Sequence, residues 1–189
     1  MNRMLTLLML CFASATVQAD AIDRGEYLTT ILGCGGCHTD GALIGQPEPA
    51  EYWLAGSRIG VAWTDFNPNV PPAIVFPSNL TSDDETGLGR WSEEDIARAI
   101  RMGSDHQGGR LIGVMPWMNY ALLSDQDTAD IAAYLKALPP VRRAVPDNVE
   151  EGEPSPNPYV RIGVFIYESS LQLPAEFGEV LPDCVVDDC

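Results

Sequence analysis

The chain has 189 residues, 46% apolar and 20% charged, and its 27 acidic side chains against 11 basic ones give a net charge of −16. That size suits one globular domain, or one domain with an appendage, and is sufficient to bury a real core. The acidity argues against nucleic acid or an anionic membrane surface as the main partner, since both are polyanions. No apolar run is long enough to span a bilayer.

Residues 1–19 carry Arg3, an apolar block from Leu5 to about Ala15, and small residues at Val17 and Ala19. This is the pattern of a secretory leader cut before Asp20, and it predicts export to the periplasm. Leu8-Met9-Leu10-Cys11 faintly resembles a lipoprotein box, but the bulky Leu10 before the cysteine argues against it. Export removes Cys11 and leaves Cys34, Cys37, Cys184 and Cys189 in an oxidising compartment.

Within 21–33, Leu28, Ile31 and Leu32 fall on one helical face. The segment 39–90 is rich in Gly, Pro and Asn and carries Trp53, Trp63, Phe66 and Phe76. A loop of that length in a compact domain points to function, and wrapping a large apolar cofactor explains both its length and its aromatics. Ser92 caps a second helix whose first turn is Glu93-Glu94-Asp95 and which ends at Gly103. Ser124 caps a third, with Ile131, Tyr134, Leu135 and Leu138 as its apolar stripe and Pro139-Pro140 as its stop. The domain boundaries are accordingly 20–146, with 147–189 an acidic extension whose one basic residue is Arg161. Residues 150–156 look like a linker, and 159–167 are β-prone enough to add one extended segment against the domain.

The chemistry centres on Cys34-Gly35-Gly36-Cys37-His38. Cys-x-x-Cys-His is the attachment run for c-type haem. Two thiols one helical turn apart each add to a porphyrin vinyl group, and the adjacent His38 turns its imidazole under the ring to bind the iron. Gly35 and Gly36 keep side chains out of the way of a close backbone–haem approach. The competing readings are a redox disulfide, or a zinc site completed by Cys184 and Cys189. An exported chain oxidises that second pair instead, predicting a Cys184–Cys189 disulfide, and a four-thiolate site gives His38 no task.

A sixth iron position then needs a ligand. His106 is the one remaining histidine, and its setting between Asp105 and Gln107, near three glycines, reads as an exposed loop. Met115, ahead of Pro116 on a loop before the last helix, is the candidate soft ligand, and His/Met coordination raises the reduction potential. Met102 and Met118 read as core gap-fillers.

Together with these residues, Arg24-Gly25-Glu26-Tyr27-Leu28, Asn79-Leu80-Thr81-Ser82-Asp83, Thr86 to Ser92, Met115-Pro116-Trp117 and Ala133 to Val141 give residues 21–146 a specific likeness. The sequence resembles class I cytochromes c, of the branch seen as cytochrome subunits of periplasmic alcohol, aldehyde and sugar-acid dehydrogenases and as related single-haem carriers. The resemblance implies a mostly α-helical fold around one covalently bound haem c, with a long haem-wrapping loop and an acidic C-terminal extension. It places the Gly25 region against Tyr134 and Leu135 where first and last helices cross. It also makes His38 the proximal and Met115 the distal iron ligand. The family's dehydrogenase subunits usually carry three haem motifs; this chain has one, which points to a single-haem carrier or a one-haem subunit. Asn79-Leu80-Thr81, formally a glycosylation acceptor, reads as part of the family's loop motif.

The expected function is non-enzymatic transfer of single electrons from a periplasmic dehydrogenase to another cytochrome or a terminal oxidase, with membrane contact only through a partner complex. The acidity either selects a partner with a basic face or serves solubility alone. Two alternatives are a haem enzyme or sensor with an open sixth position, and a structural haem subunit docked through its tail.

Overall fold

The computed structural model describes residues 18–63, 73–104 and 113–161. The leader up to residue 17, Phe66, His106, Cys184 and Cys189 lie outside the described residues. Helix α1 covers 18–31, and a turn at 32–33 leads into the short α2, Cys34–His38. Two 3-10 turns, Ala42–Ile44 and Ala50–Tyr52, precede strands β1 (Gly60–Trp63) and β2 (Ala73–Val75). Helices α3 (Glu93–Met102), α4 (Trp117–Tyr120) and α5 (Asp125–Ala137) follow, and strands β3 (Val149–Glu150) and β4 (Tyr159–Arg161) lie in the extension.

The two long helices after residue 90 form where their caps dictate. Ser92 accepts from the Asp95 amide while the Asp95 carboxylate reaches back to the Ser92 amide, which satisfies orphan donors at both positions. Gly103, at φ 61°, closes α3 in the left-handed conformation. Ser124 caps α5 through the Asp127 amide at 3.0 Å. Ile96 and Ile100 of α3 bury their side chains with Ile131, Ala132 and Leu135 of α5, and Leu28 of α1 joins the same core.

α1 crosses α5 at Gly25. A methyl group on Gly25 would lie 2.0 Å from the Asp130 carbonyl oxygen and 2.7 Å from Tyr134 Cβ, so only glycine lets the helices meet this closely. Arg24 adds a hydrogen bond of 2.8 Å to Asp127 in the first turn of α5. The expected crossing of first and last helices is therefore present at Gly25 and Tyr134.

The side-chain directions differ from expectation at three positions. Ile31 is 57% exposed, because Leu28 and Thr29 define the inner face of α1. Met102 is 65% exposed: Ile96 and Ile100 face the core, and Met102, two residues past Ile100, points the other way. Met118 is 67% exposed, since α4 turns Trp117 and Tyr120 inward and leaves the residues between them outside.

The segment between 39 and 90 carries more regular structure than its composition suggests. β1 pairs antiparallel with β2 (Val61 opposite Val75) and parallel with β4 (Val61 opposite Val160), and β3 pairs with β2 (Ile74 opposite Val149), giving the order β3-β2-β1-β4. The extension thus contributes two strands to one small sheet rather than a single segment. Phe76 and Val149 are buried beside it, and the Phe76 amide donates to the Asn148 side-chain oxygen at 3.0 Å. At the other end of the domain the Lys136 ammonium donates to the carbonyls of Leu88, Gly89 and Trp91 at 3.3, 2.6 and 3.0 Å, closing the 88–91 turn.

Candidate functional site

α2 presents the cysteine motif as one helical turn between Gly33, at φ 74°, and Thr39, which is extended. Cys34 and Cys37 are half-buried and not joined in a disulfide. Burial pushes the Cys34 thiol up to about 11, with Cys37 adding to the rise against a backbone hydrogen bond that lowers it; burial also raises Cys37. Both sulfurs are accordingly neutral thiols near neutral pH.

The glycines between them divide the labour unevenly. A Cβ on Gly35 would meet the Trp53 ring at 1.9 Å, whereas one on Gly36 would meet nothing within 4 Å. Gly35 therefore makes room for Trp53, and the open side of the turn is at Gly36. Trp53 is fixed in turn by a hydrogen bond of 3.2 Å from its indole nitrogen to the Tyr134 hydroxyl.

His38 is oriented by the backbone of a distant loop. Its Nδ1 lies 2.8 Å from the Ser78 carbonyl oxygen. A carbonyl only accepts, so Nδ1 carries the proton and Nε2 keeps its lone pair for a metal. Burial lowers the imidazole's pKa, the Ser78 carbonyl opposing, so the ring is neutral, the form that ligates.

The Ser78 carbonyl is itself held from behind. Asn79, 1% exposed, donates to the Val141 carbonyl at 2.7 Å and to Thr86 Oγ1 at 3.1 Å. Its side-chain oxygen accepts from the Thr81 amide at 2.9 Å and the Thr81 hydroxyl at 2.8 Å. The glycosylation pattern at Asn79 is thus a buried strut. On the other flank the Gly56 amide donates to the His38 carbonyl at 2.8 Å, and the Leu54 amide to Thr39 Oγ1 at 3.1 Å. Leu54, wholly buried, takes φ 60° to pass behind the histidine, a conformation that β-carbon-bearing residues rarely hold.

Met115 is half-buried in the turn before α4, and its carbonyl accepts from the Trp117 amide at 2.8 Å. From the same helix, the Tyr120 hydroxyl donates to the Leu32 carbonyl at 3.3 Å, next to the cysteine turn. Burial, with Cys34 and Cys37 nearby, pushes that phenol up to about 12, so it stays a donor. Sequence reasoning did not single out Ser78 or Tyr120, and it read Trp53 only as one aromatic of a cofactor-wrapping loop. Ser78 acts through its carbonyl, which every residue has, and the other two act through contacts across the fold.

Two neutral thiols one turn apart, followed by an imidazole with Nε2 available, form a donor set that fits a c-type haem. No protein-family model matches the chain. The cytochrome c subunit of gluconate 2-dehydrogenase from Pantoea cypripedii is 34% identical over 136 residues, covering 67% of this chain and 28% of that protein. The cytochrome c subunit of the quinone alcohol dehydrogenase from Gluconacetobacter polyoxogenes is 39% identical over 129 residues, covering 64% of this chain and 25% of that one. A diheme cytochrome c-type protein of Cereibacter sphaeroides is 32% identical over 133 residues, covering 70% of this chain and 40% of that one. All three relatives are named as cytochromes c, two of them as dehydrogenase subunits, and this chain spans less than half the length of each.

Proposed function

We propose that the protein is a c-type cytochrome that carries single electrons from a dehydrogenase to a downstream cytochrome or oxidase in the periplasm. In this reading Cys34 and Cys37 hold one haem c through thioether bonds, His38 Nε2 is the proximal iron ligand and Met115 the distal one. When bound, the haem supplies the one-electron couple. The chain's own residues supply the rest. The Ser78 carbonyl polarises His38 through Nδ1 and fixes its ring plane, and the Asn79 strut keeps that carbonyl in place. With His38 and Met115 as its ligands, the iron would be favoured in the ferrous state and its potential raised.

The observation that carries the reading is the His38–Ser78 hydrogen bond directly after two unpaired thiols. The dehydrogenase partner rests on the names of the relatives, and export rests on the pattern of residues 1–19. The protein's role is that of carrier, not catalyst, with an acidic surface suited to a basic docking face.

The test is a reduced-minus-oxidised spectrum of protein exported with the haem-attachment machinery, followed by carbon monoxide. A sharp c-type α-band unchanged by carbon monoxide supports a six-coordinate carrier. A band that shifts with carbon monoxide overturns it in favour of an open-site enzyme or sensor. No haem band overturns haem binding altogether.

A further inference from the structure

The unit that carries Met115 is short, stiff and pinned at two places. Pro116 fixes the backbone after the methionine, and amides of Trp117, Asn119 and Ala121 donate to the carbonyls of Met115, Pro116 and Trp117 at 2.8, 2.9 and 2.8 Å. One pin is steric. The Trp117 ring lies so close over Gly103, at the end of α3, that a Cβ there would fall 2.7 Å from it. The other is polar: the Tyr120 hydroxyl bonds the Leu32 carbonyl, an orphan acceptor at the end of α1, two residues before Cys34. Tyr120, like Leu32, Cys34 and Leu123, is partly buried and packs against the buried core.

We propose that Tyr120 is a positioning residue for the sixth iron ligand, its hydroxyl tying the rigid unit that carries Met115 to the helix end that carries the cysteine motif. This rests on the assignment of Met115 made above. The ring of Tyr120 serves packing, but the hydroxyl serves registration. It sets the distance between the methionine's loop and the turn that would carry the porphyrin. Releasing it leaves the steric pin at Gly103 and frees the end of α4 nearest the cysteines, so the thioether yields its place to a competing ligand more often.

Imidazole, which displaces a loosely held methionine from ferric haem, is the probe, titrated into the holoprotein. Tyr120→Phe keeps the ring and removes one hydrogen bond. It is expected to retain the haem and to bind imidazole about fivefold to tenfold more tightly, the effect of losing one net hydrogen bond. A second variant with p-aminophenylalanine at position 120 keeps a donor on the same ring and is expected to behave like the native chain. Unchanged imidazole affinity in Tyr120→Phe, with or without a lower unfolding midpoint, overturns the proposal, and so does equal affinity in the two variants. If Tyr120→Phe fails to mature, native-like maturation and affinity in the aminophenylalanine variant support it, and failure of both overturns it. Met115→Ala separates this from the underlying assignment. Retention of the methionine–iron band there overturns the Met115 ligand itself. Loss of the band with unchanged imidazole affinity in Tyr120→Phe leaves Met115 standing and removes Tyr120.

Discussion

His38 Nδ1 and the Ser78 carbonyl oxygen lie 2.8 Å apart across forty residues of chain. The orientation of the candidate iron ligand therefore depends on a loop closing correctly, and that loop depends on Asn79. Asn79→Ala removes donors to Val141 and Thr86 and an acceptor for Thr81 at a site 1% exposed. Leaving those buried partners unpaired is expected to cost about 2–3 kcal/mol of folding stability, read by denaturant unfolding. The reduction potential of the holoprotein is expected to move with it, as His38 loses its fixed acceptor.

The two glycines of the cysteine motif should respond oppositely. Gly35→Ala drives a methyl group into the Trp53 ring and is expected to destabilise by about 1–3 kcal/mol. Gly36→Ala meets open space and is expected to stay within about 0.5 kcal/mol of the native chain. Thermal unfolding of both variants decides it; equal losses would mean that Trp53 does not sit over Gly35.

How much of this was legible beforehand depends on range. α3 and α5 announce themselves because caps, dipole-matched acids and apolar stripes are all local. The cysteine motif is likewise five consecutive residues. Of the small sheet only β4 was legible, within the β-prone 159–167; the strands are two to four residues long, and nothing local in β1 names a partner about a hundred residues later. Met102 and Met118 misled because hydrophobicity was read without helical phase, which puts both outside. The meeting of Gly25 with Tyr134 was anticipated only through family likeness, and the Asp130 carbonyl was not anticipated; nothing in the glycine itself names its partner.

The acidic limb of stability should report on Asp40. Burial alone would raise its carboxyl, but Arg58, through side-chain and backbone hydrogen bonds at 2.7 and 2.9 Å, together with Ser57, holds it below its ordinary value. A depressed carboxylate stabilises the fold above its unfolded pKa of about 4 and loses that contribution as pH falls through the lower folded value. Arg58→Gln is expected to shift the acid-unfolding midpoint to higher pH, followed by circular dichroism. An unchanged midpoint would remove Asp40 from the acid transition.

Truncation after Val145 removes β3, β4 and the Asn148 side chain that accepts from Phe76. The expected outcome is faster proteolytic cleavage within 57–76, with α3 and α5 still protected. Equal cleavage rates would make the extension an appendage with no share in the sheet.

Lys136 is the only lysine in the sequence; every other basic side chain is a guanidinium. Its ammonium faces inward onto three carbonyls of the 88–91 turn. Beyond the terminal amine, an amine-directed reagent has one side chain to find, and it must wait for that turn to open. The acylation rate of Lys136 is thus a single-site clock for local opening, and amine cross-linkers will understate any contact that the arginine-bearing surface makes with a partner.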